Sequence, residues 1–193
     1  MLKDLLEKNR SFRAYDRSVR LTDDELSELV DLTRYGASSA NKQALKYYVV
    51  SKEADVMKVM PLTKWAKGLP ELNLPYPGTE PTAFIVICID TSIGSVGEYT
   101  RDVGIAAEII LLGATEIGFG GCMIGSFMKK SLSELLSLPE NIEPNLVIAL
   151  GKPAEDIRIV EAEDGNTAYY RNDNIHYVPK RKLDDILNFV SLS

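Results

Sequence analysis

The chain has 193 residues, enough for one complete hydrophobic core and few for two, and its 45% hydrophobic and 26% charged residues are ordinary for a soluble globular protein. A formal net charge of -6 excludes general nucleic-acid binding, which needs a basic field to neutralise phosphates. Two cysteines, Cys88 and Cys122, and the single histidine, His176, are too few for a metal site; no apolar run reaches the roughly 20 residues that span a bilayer, and the opening Met1, Leu2, Lys3, Asp4 lacks a signal-peptide pattern. The expectation is one domain over 1–193, in the cytoplasm, with no metal and no membrane or nucleic-acid partner.

Leu2, Leu5 and Leu6 recur at helical spacing and predict a first helix over 2–8, which hands Arg10, Ser11, Phe12 and Arg13 to its C-terminal edge. Thr22 with Glu25 forms a capping-box pattern, so a second helix starts there, turns Leu26, Leu29 and Val30 inward and ends at Gly36. The loop over 38–43 then packs four hydrogen-bonding side chains, Ser38, Ser39, Asn41 and Gln43, into six residues. Aromatic and β-branched content predicts a strand over 47–50 and a short helix follows over 55–60. Five of the chain's nine prolines fall between Pro61 and Pro81. The stretch 61–82 therefore reads as a long surface excursion, and its leucines and Trp65 favour an active-site lid over a linker. Trp65 either walls a substrate pocket or anchors the lid.

The apolar run over 84–89 predicts a strand buried on both faces. The stretch 98–118 is apolar around most of a helical circumference, through Val103, Ala106, Ala107, Ile110, Leu111 and Ala114, and should be the central buried helix. Gly104 and Gly113 within it, each costing about 1 kcal/mol relative to Ala, mark either tight core packing or close approach of another helix or a cofactor. A glycine-rich exit over 118–126 closes this helix and lets backbone N–H groups approach a ligand. Ser131 with Glu134 suggests another capping box, 146–150 another buried strand, Gly151, Lys152 and Pro153 a turn, and 155–167 an irregular charged stretch. His176 reads as an exposed polar residue.

Several chemistries drop out. The glycines at 118–126 close a helix, whereas a dinucleotide fingerprint follows a strand and opens one. No glycine loop leads into Gly-Lys-Ser or Gly-Lys-Thr, and with one histidine and no G-x-S-x-G there is no hydrolytic triad. No acid, base or nucleophile set emerges, only groups suited to a ligand. Arg10 and Arg13 carry planar, permanently charged guanidiniums that fit a terminal phosphate. Asn41 and Gln43 each offer a donor and an acceptor, as the alternating N–H and C=O groups of a flavin ring edge require. Ligand groups without a catalytic side chain suit a flavoenzyme, in which the cofactor carries the hydride chemistry.

In their order along nearly the whole chain these motifs resemble the nitroreductase family. Arg10, Ser11, Phe12 and Arg13 look like its N-terminal phosphate and ribityl motif. Ser38, Ser39, Asn41 and Gln43 resemble its Pro-Ser-Ser-x-Asn-x-Gln-Pro segment, with Ala37 and Ala44 in place of both prolines. Asp102, Gly104 and Ala106 look like the start of its central helix, and Met123, Ile124 and Gly125 like the segment whose backbone faces flavin N5 and O4. The stretch 178–183 resembles its basic C-terminal segment, with Lys180 and Arg181 favoured over Lys182 for the phosphate. The resemblance implies an α+β fold, a mixed β-sheet flanked by helices, in a domain-swapped homodimer that carries FMN at the interface. It further implies that flavin N5 carries the chemistry, with NADH or NADPH as hydride donor and ping-pong transfer to a nitroaromatic, quinone or related small-molecule acceptor. Two rivals stay open: a reductive dehalogenase or flavin-fragmenting enzyme on the same scaffold, and a non-catalytic flavin-binding or redox-sensing protein.

Overall fold

A computed structural model describes residues 1–66, 68–69 and 72–192; Lys67, Pro70 and Glu71, three positions of the 61–82 excursion, and Ser193 lie outside the described residues. The contacts divide the chain into two compact units, one of Met1–Trp65 with Asn73–Ala154 and one of Ala66–Leu72 with Glu155–Ser193.

The first unit runs α1 (Leu2–Lys8), β1 (Tyr15–Asp16), α2 (Asp23–Leu32), β2 (Leu45–Val50), α3 (Glu53–Val59), β3 (Ala83–Asp90), α4 (Val96–Glu116), β4 (Gly120–Ile124), α5 (Lys129–Leu135) and β5 (Ile142–Pro153). Helix α2 begins as its sequence indicates: the Glu25 backbone N–H donates to Thr22 Oγ1 at 3.2 Å, and the Thr22 N–H donates to the Glu25 carboxylate at 2.7 Å. Helix α4 starts two residues ahead of the expected 98 because Ser95 and Glu98 cap it in the same way, the Glu98 carboxylate accepting from the Ser95 N–H at 2.6 Å and its Oγ at 2.7 Å. It ends at Gly118, whose φ of +83° is a left-handed closure that only glycine takes without steric cost.

Among the described residues of this unit the strands form one antiparallel sheet in which β5 is central, paired with β3 on one side and β4 on the other, while β2 lies outside β3 and β1 pairs with the last residues of β5. A parallel bridge joins Ser11 to Gly121. From Ala83 to Ile89 no residue of β3 is more than 1% exposed, as its unbroken apolar run requires. Ile85, Ile87 and Ile89 share one core with Leu26 and Leu29 of α2 and Ala107 and Ile110 of α4. Burying each such large side chain contributes about 1.5–3 kcal/mol. With α3 against β3 and α5 against β5, Phe84, Val86 and Cys88 are buried as well.

Three local expectations fail here for tertiary reasons. The glycine-rich stretch is largely the strand β4 rather than a loop: a Cβ on Gly121 would stand 2.3 Å from the Ala149 carbonyl oxygen and 2.7 Å from Leu111, so its bare backbone is what lets β4 fit between β5 and α4. Gly151, Lys152 and Pro153 make no turn, because β5 continues through them to pair with Asp16 and Tyr15. Ser131 lies inside α5, which starts at Lys129 after Met128, so it caps nothing. The two interior glycines of α4 also part company. A Cβ on Gly113 would meet Leu32 at 2.6 Å and Leu29 at 2.9 Å, whereas one on Gly104 would meet nothing within 4 Å.

The second unit contains β6 (Asp156–Glu161), β7 (Tyr170–Asn172) and β8 (Ile175–Lys180), a mixed sheet with β8 in the middle, parallel to β6 and antiparallel to β7. The stretch expected to be irregular thus holds β6. His176 is not exposed: it is buried, its ring centroid 5.3 Å from that of Tyr169, and on the adjacent strand Arg171 pairs with the carboxylate of Glu155, which is 5% exposed. The Gly68 N–H donates to Tyr169 Oη at 2.9 Å, tying the tip of the excursion to this sheet, and Ala66 and Leu69 are buried rather than spread over a surface.

Candidate functional site

The cation string 10–13 is laid along β4. The Phe12 N–H donates to the Gly121 carbonyl at 3.0 Å, and a Cβ on Gly120 would strike the Phe12 ring at 2.6 Å, so Phe12 fills the space Gly120 leaves and Ser11 comes to lie beside Gly121. Arg10 donates from Nη2 to the Leu6 carbonyl at 2.6 Å, closing the end of α1, while its Nε is a buried donor with no hydrogen-bond partner among the described residues. Burial lowers the Arg10 pKa, and the charges of Glu108 and Glu7 oppose that shift. Arg13 is half-buried and donates from Nη1 to the Ser11 carbonyl at 3.2 Å; the Ser11 hydroxyl is exposed.

At its other end β4 delivers Met123, Ile124 and Gly125. Ile124 is buried, Met123 is exposed, and a Cβ on Gly125 would meet no described residue within 4 Å, so the backbone there is open on that side. The start of the excursion is fastened beside it: Lys64 N–H donates to the Ser126 carbonyl at 2.9 Å, Thr63 bridges to Phe127, and Met128 N–H donates to the Leu62 carbonyl at 2.8 Å. Trp65 is half-buried and its indole N–H donates to Thr63 Oγ1 at 2.8 Å, which orients the ring next to this junction.

The polar loop 38–43 is held by a residue that sequence reasoning passed over as a mere landmark on the central helix. Asp102, 5% exposed, accepts from the Ser38 hydroxyl at 2.8 Å and from the Ser39 N–H at 2.9 Å, and Ser38 Oγ in turn accepts from the Gln43 N–H at 3.0 Å. Between these ties Ala40, Asn41 and Gln43 take φ values of 47°, 52° and 51°. Left-handed backbone costs about 1–3 kcal/mol at a non-glycine residue, less at Asn, and such strain persists only where the surroundings enforce it. The carboxamides of Asn41 and Gln43 stand exposed, the latter donating to Asn41 Oδ1 at 3.2 Å. Together with Arg34, Tyr47, Asp102 and Ile105 the loop lines a cleft of about 310 Å³. Burial raises the Tyr47 pKa, a hydrogen bond with Thr33 opposes the rise, and the charge of Asp102 adds to it.

Lys180 and Arg181 fall in the second unit, Lys180 at the end of β8 opposite Glu161 and both side chains exposed. Lys182 is ion-paired with Glu161 at 3.1 Å, and that hydrogen bond raises its pKa. The structure thus gathers Arg10, Ser11, Arg13, Met123, Ile124 and Gly125 along one strand and pins Ser38, Ser39, Asn41 and Gln43 to α4. An always-charged arginine whose buried Nε has no partner among the described residues, a neighbouring arginine and a hydroxyl form a donor set suited to a phosphate, and the open backbone at Gly125 leaves room for a flat ring. The residues present fit FMN.

The chain matches the family model described as Nitroreductase family over residues 6–75 and 78–152 and belongs to that family. A protein of Archaeoglobus fulgidus, provisionally named NADH dehydrogenase/NAD(P)H nitroreductase, is 28% identical over 174 residues, which cover 86% of this chain and 91% of its own. Two solved structures share the fold: an FMN-dependent nitroreductase of Clostridium difficile (TM-score 0.65, 23% identity, 79% of this chain and 87% of that one) and a protein of Staphylococcus epidermidis provisionally described as an NAD(P)H:FMN oxidoreductase (TM-score 0.73, 16% identity, 98% and 96%). The α+β architecture is therefore that of the nitroreductase fold. No helix among the described residues is long and apolar enough to cross a membrane.

Proposed function

We propose that the protein is a cytoplasmic, homodimeric FMN-dependent oxidoreductase that passes hydride from NAD(P)H to nitroaromatic, quinone or related acceptors by a ping-pong mechanism, with the whole chain, 1–193, acting as one FMN-binding domain. The observation that carries this reading is a single strand, β4, flanked by the cation string 10–13 near one end and opening onto unobstructed backbone at Gly125 at the other. Family membership and the names of relatives, one FMN-dependent and others linked to NAD(P)H, support it.

When bound, FMN supplies the redox chemistry, hydride acceptance and release at N5. The chain's own groups bind and orient. Arg10, Ser11 and Arg13 hold the phosphate; Ser39, Asn41 and Gln43 read polar atoms of the ribityl chain or ring from a loop that Ser38 braces; Met123, Ile124 and Gly125 present backbone to the ring. Residues 61–65, fastened to 126–128, border the side on which donor and acceptor alternate. Homodimer formation is supported by apolar surface that one chain leaves bare. Ile105 on α4 is 39% exposed beside the open Gly104, and in the C-terminal segment Ile186, Phe189, Val190 and Leu192 are 62%, 92%, 77% and 92% exposed, suiting exchange of terminal segments between two copies.

The purified protein is expected to be yellow, with about one FMN per chain, and apo-protein should gain roughly 2.7 kcal/mol of stability when FMN reaches about 100 times its dissociation constant. A colourless protein that FMN does not stabilise would sink the proposal. Steady NAD(P)H consumption with an added quinone separates the enzyme from a flavin-binding sensor. Mixing Arg13→Ala with an Asn41→Ala, Gln43→Ala double variant should restore part of the activity in heterodimers if each site draws on both chains. No rescue despite proven heterodimers refutes the shared site.

A further inference from the structure

The loop 38–43 is the most strained segment near the candidate site, with three of its residues left-handed and none of them glycine. Two local backbone bonds turn the loop, Asn41 N–H to the Ser38 carbonyl and Lys42 N–H to the Ser39 carbonyl, both at 3.0 Å, while the prolines expected on either side are Ala37 and Ala44. One buried carboxylate anchors that turn to the central helix. Asp102 Oδ2 takes both the Ser38 hydroxyl and the Ser39 N–H, and the same hydroxyl oxygen receives the Gln43 N–H, so a relay from Asp102 through Ser38 to Gln43 closes the loop across its full length. Asn41 and Gln43, whose side chains are exposed, owe their direction to this backbone.

We propose that Asp102 is a positioning residue for FMN binding: it touches no flavin atom itself, but through Ser38 it sets the backbone that aims Asn41 and Gln43 at the cofactor. The inference rests on the FMN reading above. It also gives a reason for a buried carboxylate on the central helix. One carboxylate oxygen has the acceptor sites to hold a hydroxyl and a backbone N–H together, and its charge strengthens both bonds over those a neutral amide oxygen would make.

The test compares apo-proteins by flavin-fluorescence titration, the visible circular dichroism of the bound flavin, and far-ultraviolet circular dichroism as a check on folding. Asp102→Ala should weaken FMN binding about 10- to 100-fold and alter the visible dichroism of whatever flavin binds. Asp102→Asn, which keeps an oxygen but loses the charge, should fall between it and wild type. Ser38→Ala cuts the relay while leaving the buried carboxylate in place, so it carries the test if Asp102→Ala fails to fold, and should itself weaken binding several-fold. Combined, Asp102→Ala and Ser38→Ala should cost well short of the product of their separate effects, since both act along one chain of hydrogen bonds. A purely structural role would lower the melting temperature and leave the affinity and dichroism of the folded protein as in wild type. Folded Asp102→Ala, or Ser38→Ala in its place, that binds FMN within about twofold of wild type overturns the positioning role. If Arg13→Ala loses flavin in the same experiment, the FMN reading survives that outcome; wild-type protein that binds no FMN overturns both.

Discussion

Gly121 within β4 and Gly125 just past its end, four positions apart, are expected to fail in opposite ways when replaced. At Gly121 a methyl group would lie 2.3 Å from the Ala149 carbonyl oxygen, 2.7 Å from Leu111 and 2.9 Å from Leu150. The first neighbour is backbone in the central strand and cannot swing aside, so Gly121→Ala must push β4 off β5 and disturb the Phe12 N–H bond to the Gly121 carbonyl. Overpacking against backbone belongs at the upper end of its usual range, about 3 kcal/mol, which for a chain of this size lowers the melting temperature by roughly 6–12 °C. At Gly125 the same methyl meets nothing within 4 Å and the backbone is not left-handed, so Gly125→Ala should leave apo stability unchanged or raise it by about 0.4–1 kcal/mol. Its cost should appear only with ligand: a methyl standing between backbone and ring forfeits an interaction of about 0.5–1.5 kcal/mol, up to roughly tenfold in affinity. Thermal unfolding of the apo-proteins followed by FMN titration measures both. If Gly125→Ala melts as low as Gly121→Ala, or binds FMN with the wild-type dissociation constant, Gly125 is a structural glycine and the assignment of that backbone to the cofactor is wrong.

Arg13→Ala should weaken FMN binding by about 1.5–3 kcal/mol, one to two decades in a fluorescence titration, with little change in apo melting; an unchanged dissociation constant would make Arg13 a plain surface residue. Burial pushes the Cys88 thiol up to about 12, so at pH 8 only about one molecule in ten thousand carries the reactive thiolate; native protein should resist alkylation at Cys88 through that pH and label there only on unfolding, as mass spectrometry of the modified peptide would report. Glu155→Ala leaves Arg171 charged in a half-buried setting without its partner, a loss of about 3–5 kcal/mol; faster proteolysis within 155–180 is the expected sign, and an unaltered digestion rate would mean solvent already serves that arginine.

What the amino-acid order determined by itself is whatever rests on neighbours a few residues away. Leu2, Leu5 and Leu6 place α1 at its observed bounds, Thr22 and Glu25 cap α2 through bonds three residues apart, and the unbroken apolar run at 84–89 announces a strand buried on both faces. The ligand-suited side chains were legible for the same reason, as residue types clustered in short strings. Tertiary structure decided the rest, because each remaining feature depends on a partner tens of residues distant. Gly120 and Gly121 disfavour a strand intrinsically and form one because β5 and Phe12 take the space their side chains would fill. His176 is polar and near the chain's end, yet the pairing of β8 between β6 and β7 buries it. Asp102 looked like one polar residue on a helix, and only folding brings it within 2.8 Å of Ser38, 64 positions away. Gly104 and Gly113 are indistinguishable in sequence; α2 packs on one and leaves the other open, and that difference in what lies opposite is information no local pattern carries.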